Sequence, residues 1–312
     1  MANFLVTGGA GFIGSNTVEE LLNKGHEIRI IDNFATGKKE NLSPFLPEIE
    51  VIEGDIRDLD FLKRAMKGIE YVIHLAALGS VPRSVEDPLN TSEVNVTGTL
   101  NILITARDVG VRRVVYSSSS SVYGDDPALP KKEDMPLSPQ SPYAVSKLAG
   151  EYYCKVFYQV YGLGTVSLRY FNIYGKRQDP SSQYAAVVPR FISAMLNGER
   201  PVIFGDGEQS RDFTFIEDCV QANIKACFAP GVEGEVFNIS YGARVTVNEL
   251  FQKIRWLLGK NEIEPIYAAP RPGDVKHSLA DTSKAQALLG FKPHYHIEVG
   301  LKKTLECGIH QT

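Results

Sequence analysis

Metal-type residue spacings and long apolar runs are both missing from this chain. Its four cysteines, Cys154, Cys219, Cys227 and Cys307, include no C-x-x-C pair. They are expected to be free, mostly buried thiols of a cytoplasmic protein rather than a disulfide framework or a zinc site. His74, His277, His294 and His296 form no credible ligand set, and no metal is expected. No stretch approaches the roughly 20 consecutive apolar residues of a membrane helix. Glycine and polar residues break the first apolar run soon after Met1, unlike a secretory leader. Charge of one sign is scarce as well. A net charge of −4 over 312 residues gives no electrostatic reason to expect nucleic acid or a membrane as partner. A small anion held by a few basic side chains stays open.

What is there is an alternation. Short apolar runs at residues 4–7, 27–31, 51–53, 71–75, 114–117 and 166–169 read as buried strands. Segments of helical period separate most of them, which is the pattern of a doubly wound parallel sheet. A first helix is expected over about 11–24, stopped by Gly25, and a longer one over 90–108, ending before Gly110. After Arg169 the texture changes, with Gly, Pro and polar residues dense in GKRQDPSSQYAAVVPRF and PVIFGDGEQSRDF. One further strand is expected over 235–239. The expectation is an α/β protein in which a sheet domain (1–172 plus 212–240) interleaves with a smaller α/β domain (173–211 plus 241–312).

TGGAGFIGS sets Gly8, Gly11 and Gly14 three residues apart where the first strand passes into the first helix. Such glycines serve a tight turn, close backbone approach to a pyrophosphate and close packing of helix on sheet. The helix N-terminus then offers unpaired N–H groups to the phosphates. Asp32 ends the second strand, where a carboxylate accepts hydrogen bonds from both ribose hydroxyls and repels a 2′-phosphate. Lys38 and Lys39 follow and could tolerate that phosphate. NAD in a Rossmann-type domain is the expectation. Asp55 and Ile56 follow the third strand, where an adenine ring would pass the sheet, although an Asp there is also a common turn residue.

SPYAVSK places Tyr143 and Lys147 four residues apart, with Ser141 as N-cap and Pro142 at the first helical position, so both side chains share one helix face. A free phenol titrates at about 10. A neighbouring ammonium and the positive nicotinamide favour phenolate, and lowering the value by about three units corresponds to roughly 4 kcal/mol. That would suit the group to general acid and base work. Y-x-x-x-K alone is common on amphipathic helices. Its weight comes from the dinucleotide turn and from the serines Ser117 to Ser121 at the end of the fifth strand, since ligands of open α/β sheets sit beyond the carboxyl ends of the strands.

TGGAGFIGS, GDIRD, HLAA, SSSSVYG, SPYAVSK, LRYFNIYG, SRDF and RPGDVKHS, in this order over almost the whole chain, resemble the extended short-chain dehydrogenase/reductase family, in particular its nucleotide-sugar 4-epimerases. AALGSVPRSVEDP, RYFNIYGKRQDP and YAAVVPRF resemble the UDP-N-acetylhexosamine 4-epimerases. The resemblance implies reversible 4-epimerisation of UDP-GlcNAc/UDP-GalNAc, and of UDP-Glc/UDP-Gal, through a 4-keto sugar with resident NAD. Tyr143 would be the acid/base, Lys147 its partner, and Ser119 the serine at the reacting oxygen. Besides the glycines, Asp32, Asp55 and Ile56, the cofactor would be lined by Phe12, Ile13, Asn33, Leu75, Ala76, Ala77, Asn95, Ser117 and Tyr170. Gly79, Ser80, Ser120, Ser121, Phe204 and Ser278 would line the substrate. Asn172, Val188, Arg211 and Arg271 would hold the uridine diphosphate, and Asp274 its ribose. The two arginines also make sense as planar, permanently charged donors to a diphosphate, although salt-bridged surface arginines would read the same.

Two departures narrow this reading. Related 4,6-dehydratases and UDP-glucuronate decarboxylases carry an acid just before V-Y-G, where this chain has Ser120 and Ser121. The position four after Asp274, a bulky Tyr in epimerases restricted to non-acetylated sugars, is Ser278 and leaves volume for an acetamido group. The resemblance further implies a homodimer through helices 90–108 and 142–161. Leu100, Leu103, Tyr153 and Val156 suit that pairing or ordinary core packing equally. A reductase or dehydrogenase that consumes NAD(H) shares every cofactor feature. A non-catalytic member would be expected to lose the Tyr, Lys or glycines kept here.

Overall fold

A computed structural model describes residues 1–181, 186–270 and 276–308, apart from the side chains of 307 and 308. Arg271 and Asp274 lie outside the described residues. The seven strands form one parallel sheet, in the spatial order Glu235–Ile239, Gly164–Tyr170, Arg113–Ser119, Tyr71–His74, Asn3–Thr7, Glu27–Asp32 and Ile49–Glu53. Chain order reverses between Asn3–Thr7 and Tyr71–His74, which opens a crevice at their carboxyl ends. Inner strands such as Asn3–Thr7 and Tyr71–His74 read as apolar runs because both faces are covered, whereas the edge strand Ile49–Glu53 is interrupted by exposed Glu50 and Glu53. Phe4, Val6, Ile30, Ile73 and Val115 pack into one core, and Leu5, Ile31, Val72, Val114 and Tyr116 into the other. Each such side chain contributes about 1.5–3 kcal/mol by leaving water.

Helix Phe12–Asn23 has Gly11 at its N-cap and ends ahead of Gly25, whose φ is +74°. The single helix expected over 90–108 is instead three joined pieces. Pro88–Ser92 is capped by Asp87, Glu93–Thr97 is a π-helical turn, and Gly98–Val109 closes on a left-handed Gly110. The wide turn carries Asn95, and the next turn approaches Ile56 so closely that a Cβ at Gly98 would lie 2.5 Å from its Cδ1. Helix Pro142–Tyr161 begins as expected, with the Ser141 hydroxyl accepting from Ala144 N at 3.1 Å.

Beyond Tyr170, apart from Glu235–Ile239, the described strands are of two or three residues. Ile173–Tyr174 pairs with Thr214–Phe215, Ser210–Asp212 with Arg244–Thr246, and Val202–Phe204 with Ile266–Ala268. The first sheet core continues through Phe215 and Cys219 to Phe251, Phe291 and Leu301. Asp212 knots these pieces together, accepting from Gly242 N (3.0 Å) and Ala280 N (3.1 Å). Burial lifts its carboxyl to about 6 against those hydrogen bonds. Among the described residues no helix is long and apolar enough to cross a membrane, and no three His, Cys, Asp or Glu side chains are grouped to hold a metal. Cys154, Cys219 and Cys227 are buried free thiols.

Candidate active site

The three glycines of the first turn differ in what forces them. Gly8 has φ +70° and a Cβ there would lie 2.7 Å from Ala76 N, while at Gly14 it would lie 2.1 Å from Gly8 O. The chain's own backbone therefore excludes a side chain at both. At Gly11 an added Cβ meets only Gly8 O, at 3.2 Å, and φ is an ordinary −76°. Space is left there for a group from outside, over the N–H groups of the helix bearing half-buried Phe12 and Ile13. That cradle fits a dinucleotide pyrophosphate.

Asp32 is 7% exposed, with Oδ2 accepting from Ala10 N (2.9 Å) and Oδ1 from Phe34 N (2.8 Å). Burial raises its carboxyl and these bonds oppose the rise, so its orientation at the second strand's end is fixed by backbone. Lys38 is paired with Asp179 and Lys39 with Glu53, each at 3.1 Å. Asp55 is clasped by Arg57 at 2.8 Å and receives Asn33 Nδ2 at 3.0 Å. The Arg57 hydrogen bonds hold its carboxyl down to about 2. Ile56, expected beside adenine, is 5% exposed and packs in the core.

Leu75, Ala76 and Ala77 are half-buried and follow the fourth strand into the crevice. Asn95, expected along the cofactor, tethers the crevice loop to the Tyr143 helix. Its Oδ1 accepts from Leu78 N at 2.8 Å, and its Nδ2 donates to Leu78 O (3.2 Å) and Ser146 Oγ (3.0 Å). Both Nδ2 hydrogens and one Oδ1 acceptor site are thereby engaged. Sequence reasoning missed His74, which bridges Thr7 (2.7 Å) and Thr99 (3.0 Å). Burial first, then the charge of Lys147, pushes it down to about 3 and keeps it neutral. Gly79 is exposed, and the Ser80 hydroxyl caps the next short helix by accepting from Arg83 N at 3.2 Å.

Tyr143, Lys147 and the serine run meet at the carboxyl end of Arg113–Ser119. Lys147 Nζ donates to Ser117 O at 2.8 Å, lies 3.4 Å from Ser117 Oγ and sits 5.9 Å from the centre of the Tyr143 ring. Burial brings Lys147 down to about 8. The Ser119 hydroxyl acts on the Tyr143 phenol, and Ser119 Oγ accepts from Ser121 N at 3.2 Å. Burial raises the Tyr143 phenol and Ser119 opposes this. In the chain alone the phenol is therefore raised, and the lowering expected from Lys147 together with the nicotinamide charge is not reached. Any lowering has to come with the positive charge of a bound cofactor. Ser120 is half-buried in the following turn, and Ser121 Oγ is buried with no partner in the protein. Tyr170, expected near the nicotinamide, turns its hydroxyl into the core to donate to Asn223 Oδ1 at 2.5 Å. Only its ring is left to face a ligand.

A cavity of about 610 Å³ gathers three of the residues named for the nucleotide, Asn172, Val188 and Arg211, together with Phe204, named for the substrate lining. Arg211 Nη1 donates to Ser210 O (3.0 Å) and Lys276 O (3.2 Å), so backbone carbonyls orient its guanidinium. Asn172, left-handed at φ 40°, donates from Nδ2 to Asp212 O (2.9 Å) and to Ser278 Oγ (3.3 Å). Ser278 thus stands behind Asn172, with its hydroxyl also accepting from Asp212 N at 3.4 Å. Glu86, Arg190 and Gln209 line the same cavity and were missed. No spacing rule connects three residues from distant segments.

The family model described as the NAD dependent epimerase/dehydratase family matches residues 4–240. A UDP-N-acetylglucosamine 4-epimerase of Methanobrevibacter ruminantium M1, solved with UDP-N-acetylmuramic acid, is 44% identical over 100% of this chain and 99% of its own, with a TM-score of 0.95. A UDP-glucose 4-epimerase of Thermotoga maritima, solved with UDP-glucose, is 40% identical over 99% of each chain, with a TM-score of 0.94. A curated relative, the UDP-glucose 4-epimerase of Mycolicibacterium smegmatis, is 41% identical over 97% of each. The glycine cradle, Asp32 and the Tyr143–Lys147 helix lie within the matched region, and the chain belongs to the NAD-dependent epimerase/dehydratase family.

Proposed function

We propose that this chain reversibly inverts C4 of UDP-hexoses, UDP-N-acetylhexosamines among them, with NAD as a resident cofactor that is restored in each turnover. The observation that carries the reading is the meeting of Tyr143, Ser119 and Lys147 at one strand end. NAD, when bound, supplies reversible oxidation of the C4 carbinol. Tyr143 takes the proton of the 4-hydroxyl and later returns it. Ser119 hydrogen-bonds Tyr143 and the reacting oxygen, and Lys147, anchored on Ser117 O, fixes a positive charge beside them. The uridine diphosphate is held at the other end by Arg211, Asn172, Val188 and Phe204, with Arg271 and Asp274 proposed to join them. Around the sugar stand small side chains, Gly79, Ser80 and Ser119 to Ser121. Strong grip on the nucleotide and weak grip on the hexose let the 4-keto sugar turn about its diphosphate and present its other face.

Ser120 and Ser121 provide no acid for elimination or decarboxylation, which favours epimerisation. The relatives acting on UDP-N-acetylglucosamine and UDP-glucose support this substrate class, and small Ser278 favours acceptance of an acetamido group. We further propose a cytoplasmic homodimer paired through the Pro142–Tyr161 helix, whose Val145, Tyr152, Val156 and Val160 are exposed. Leu103, named for the same interface, is fully buried and belongs to the core.

Tyr143→Phe tests the reading, scored by C4 inversion of UDP-galactose and UDP-N-acetylgalactosamine. Loss of about 10²- to 10⁴-fold in kcat with little change in KM is expected. Near-wild-type turnover would contradict the role of Tyr143, and activity confined to the non-acetylated sugar would contradict the role of Ser278.

A further inference from the structure

Tyr143, Lys147 and Glu151 occupy successive i, i+4 positions on one helix, and the third member lies in an enclosed ion pair. Glu151 and Arg169 are each 3% exposed and bound bidentately, with Nε–Oε1 at 2.9 Å and Nη2–Oε2 at 2.7 Å. Glu151 Oε1 also accepts the hydroxyl of Ser118. Arg169 Nη1 donates to Tyr123 Oη at 2.8 Å, and Tyr123 donates to Asn238 Oδ1 at 2.7 Å. The pair therefore grips the Ser119 segment on both sides, at Ser118 on the strand and at Tyr123 in the turn. Enclosing two charges costs desolvation that well-packed apolar side chains avoid, so fold stability alone is a poor reason for such a pair.

We propose that Glu151 and Arg169 are positioning residues for the C4 chemistry, holding Ser119 against Tyr143 while adding no net charge beneath it. The inference rests on Tyr143 being the acid/base. Glu151 is two turns from Tyr143, about 12 Å along the helix. At that distance, and an effective permittivity of about 20, one unpaired charge moves a phenol by about one pH unit.

The other ionisable groups around the pair and Tyr143 are accounted for. On the same helix stand Lys147 and Cys154, the latter pushed up to about 12 by burial. From the sheet come His74, neutral, and Tyr116, raised well above its ordinary value by burial. On the far side of Arg169, burial lifts Tyr123 to about 12 and raises Glu133, which Lys284 and Arg169 oppose. Lys147 stands between the pair and Tyr143 on the same helix, 5.9 Å from the Tyr143 ring centre.

The test is kcat and KM against pH for the holoenzyme carrying Glu151→Gln, Ser118→Ala, or Glu151→Gln with Arg169→Met, beside Tyr143→Phe. Glu151→Gln leaves Arg169 cationic, so the acidic limb of kcat moves down by about one pH unit. The double variant removes both charges, so the limb returns to its wild-type position while kcat stays low. Ser118→Ala changes no charge and lowers kcat about tenfold, with KM little changed and the limb unmoved. Should Glu151→Gln fail to fold, the double variant and Ser118→Ala still decide the matter. An unmoved limb in folded Glu151→Gln, or wild-type kcat in Ser118→Ala or the double variant, overturns the proposal. Retained activity in Tyr143→Phe would instead defeat the reading on which it rests.

Discussion

The cofactor cradle and the nucleotide cavity place their groups by opposite means. At Gly8 and Gly14 the backbone leaves no volume for a side chain, and Asp32 is oriented by two backbone N–H groups. In the cavity, Asn172, Val188, Phe204 and Arg211 arrive on separate segments, with Asn172 and Arg211 oriented by backbone carbonyls. The first region is a contiguous piece of chain whose geometry is local. The second exists only after distant segments have met.

Acid should separate the two most strongly. In the cofactor half His74 is held neutral, its folded value near 3 lying below the usual 6.5. The folded state therefore binds fewer protons, and its contribution, present above pH 6.5, is lost as pH falls toward 3, by about 5 kcal/mol in all. Asp212, at the knot of the nucleotide half, has the opposite sign, being raised from 3.8 to about 6. There the folded state binds more protons, so its contribution grows by about 3 kcal/mol as pH falls from 6 to 3.8. Urea unfolding at stepped pH checks both. Relative to His74→Asn the wild type should lose stability on acidification, and relative to Asp212→Asn it should gain.

Within the cradle, Gly14→Ala forces a Cβ onto Gly8 O and should destabilise the apo protein by about 3 kcal/mol. Gly11→Ala meets far less of the chain and should stay within about 1 kcal/mol in thermal unfolding, yet weaken NAD binding at least about tenfold. Equal effects of the two on the apo protein would break the distinction between chain-imposed and ligand-imposed glycines. In the cavity, Arg211→Ala removes charged hydrogen bonds of about 1.5–3 kcal/mol and should raise KM roughly 10- to 100-fold with kcat little changed. A fall confined to kcat would place Arg211 at the reacting end instead.

The same contrast explains what could be read from sequence. The inner sheet strands are legible because runs such as Phe4 to Thr7 are buried on both faces, while the half-exposed edge strand Ile49–Glu53 is legible only over 51–53. The Gly8 turn and the Ser141–Pro142 helix start are legible because cap and turn chemistry is local. The π turn at Glu93–Thr97 is not, since apolar period continues across it. Asn95, Tyr170 and Ser278 could be named, but their partners Leu78 with Ser146, Asn223, and Asn172 lie 17 to 106 residues away. Helical spacing could not tell buried Leu103 from exposed Val156, because either face of a helix fits the same period. Glu151 with Arg169 left no trace, as a charged residue one turn past Lys147 reads as solvated surface until the next strand covers it.

The central claim is that oxidation at C4 is transient and returned to the same carbon. It is tested most directly by incubating the holoenzyme with UDP-N-acetylgalactosamine deuterated at C4 and following both epimers. The account predicts C4 inversion with the label kept at C4 and no accumulation of NADH. Loss of the label from C4 in the inverted product, or stoichiometric NADH, would contradict it.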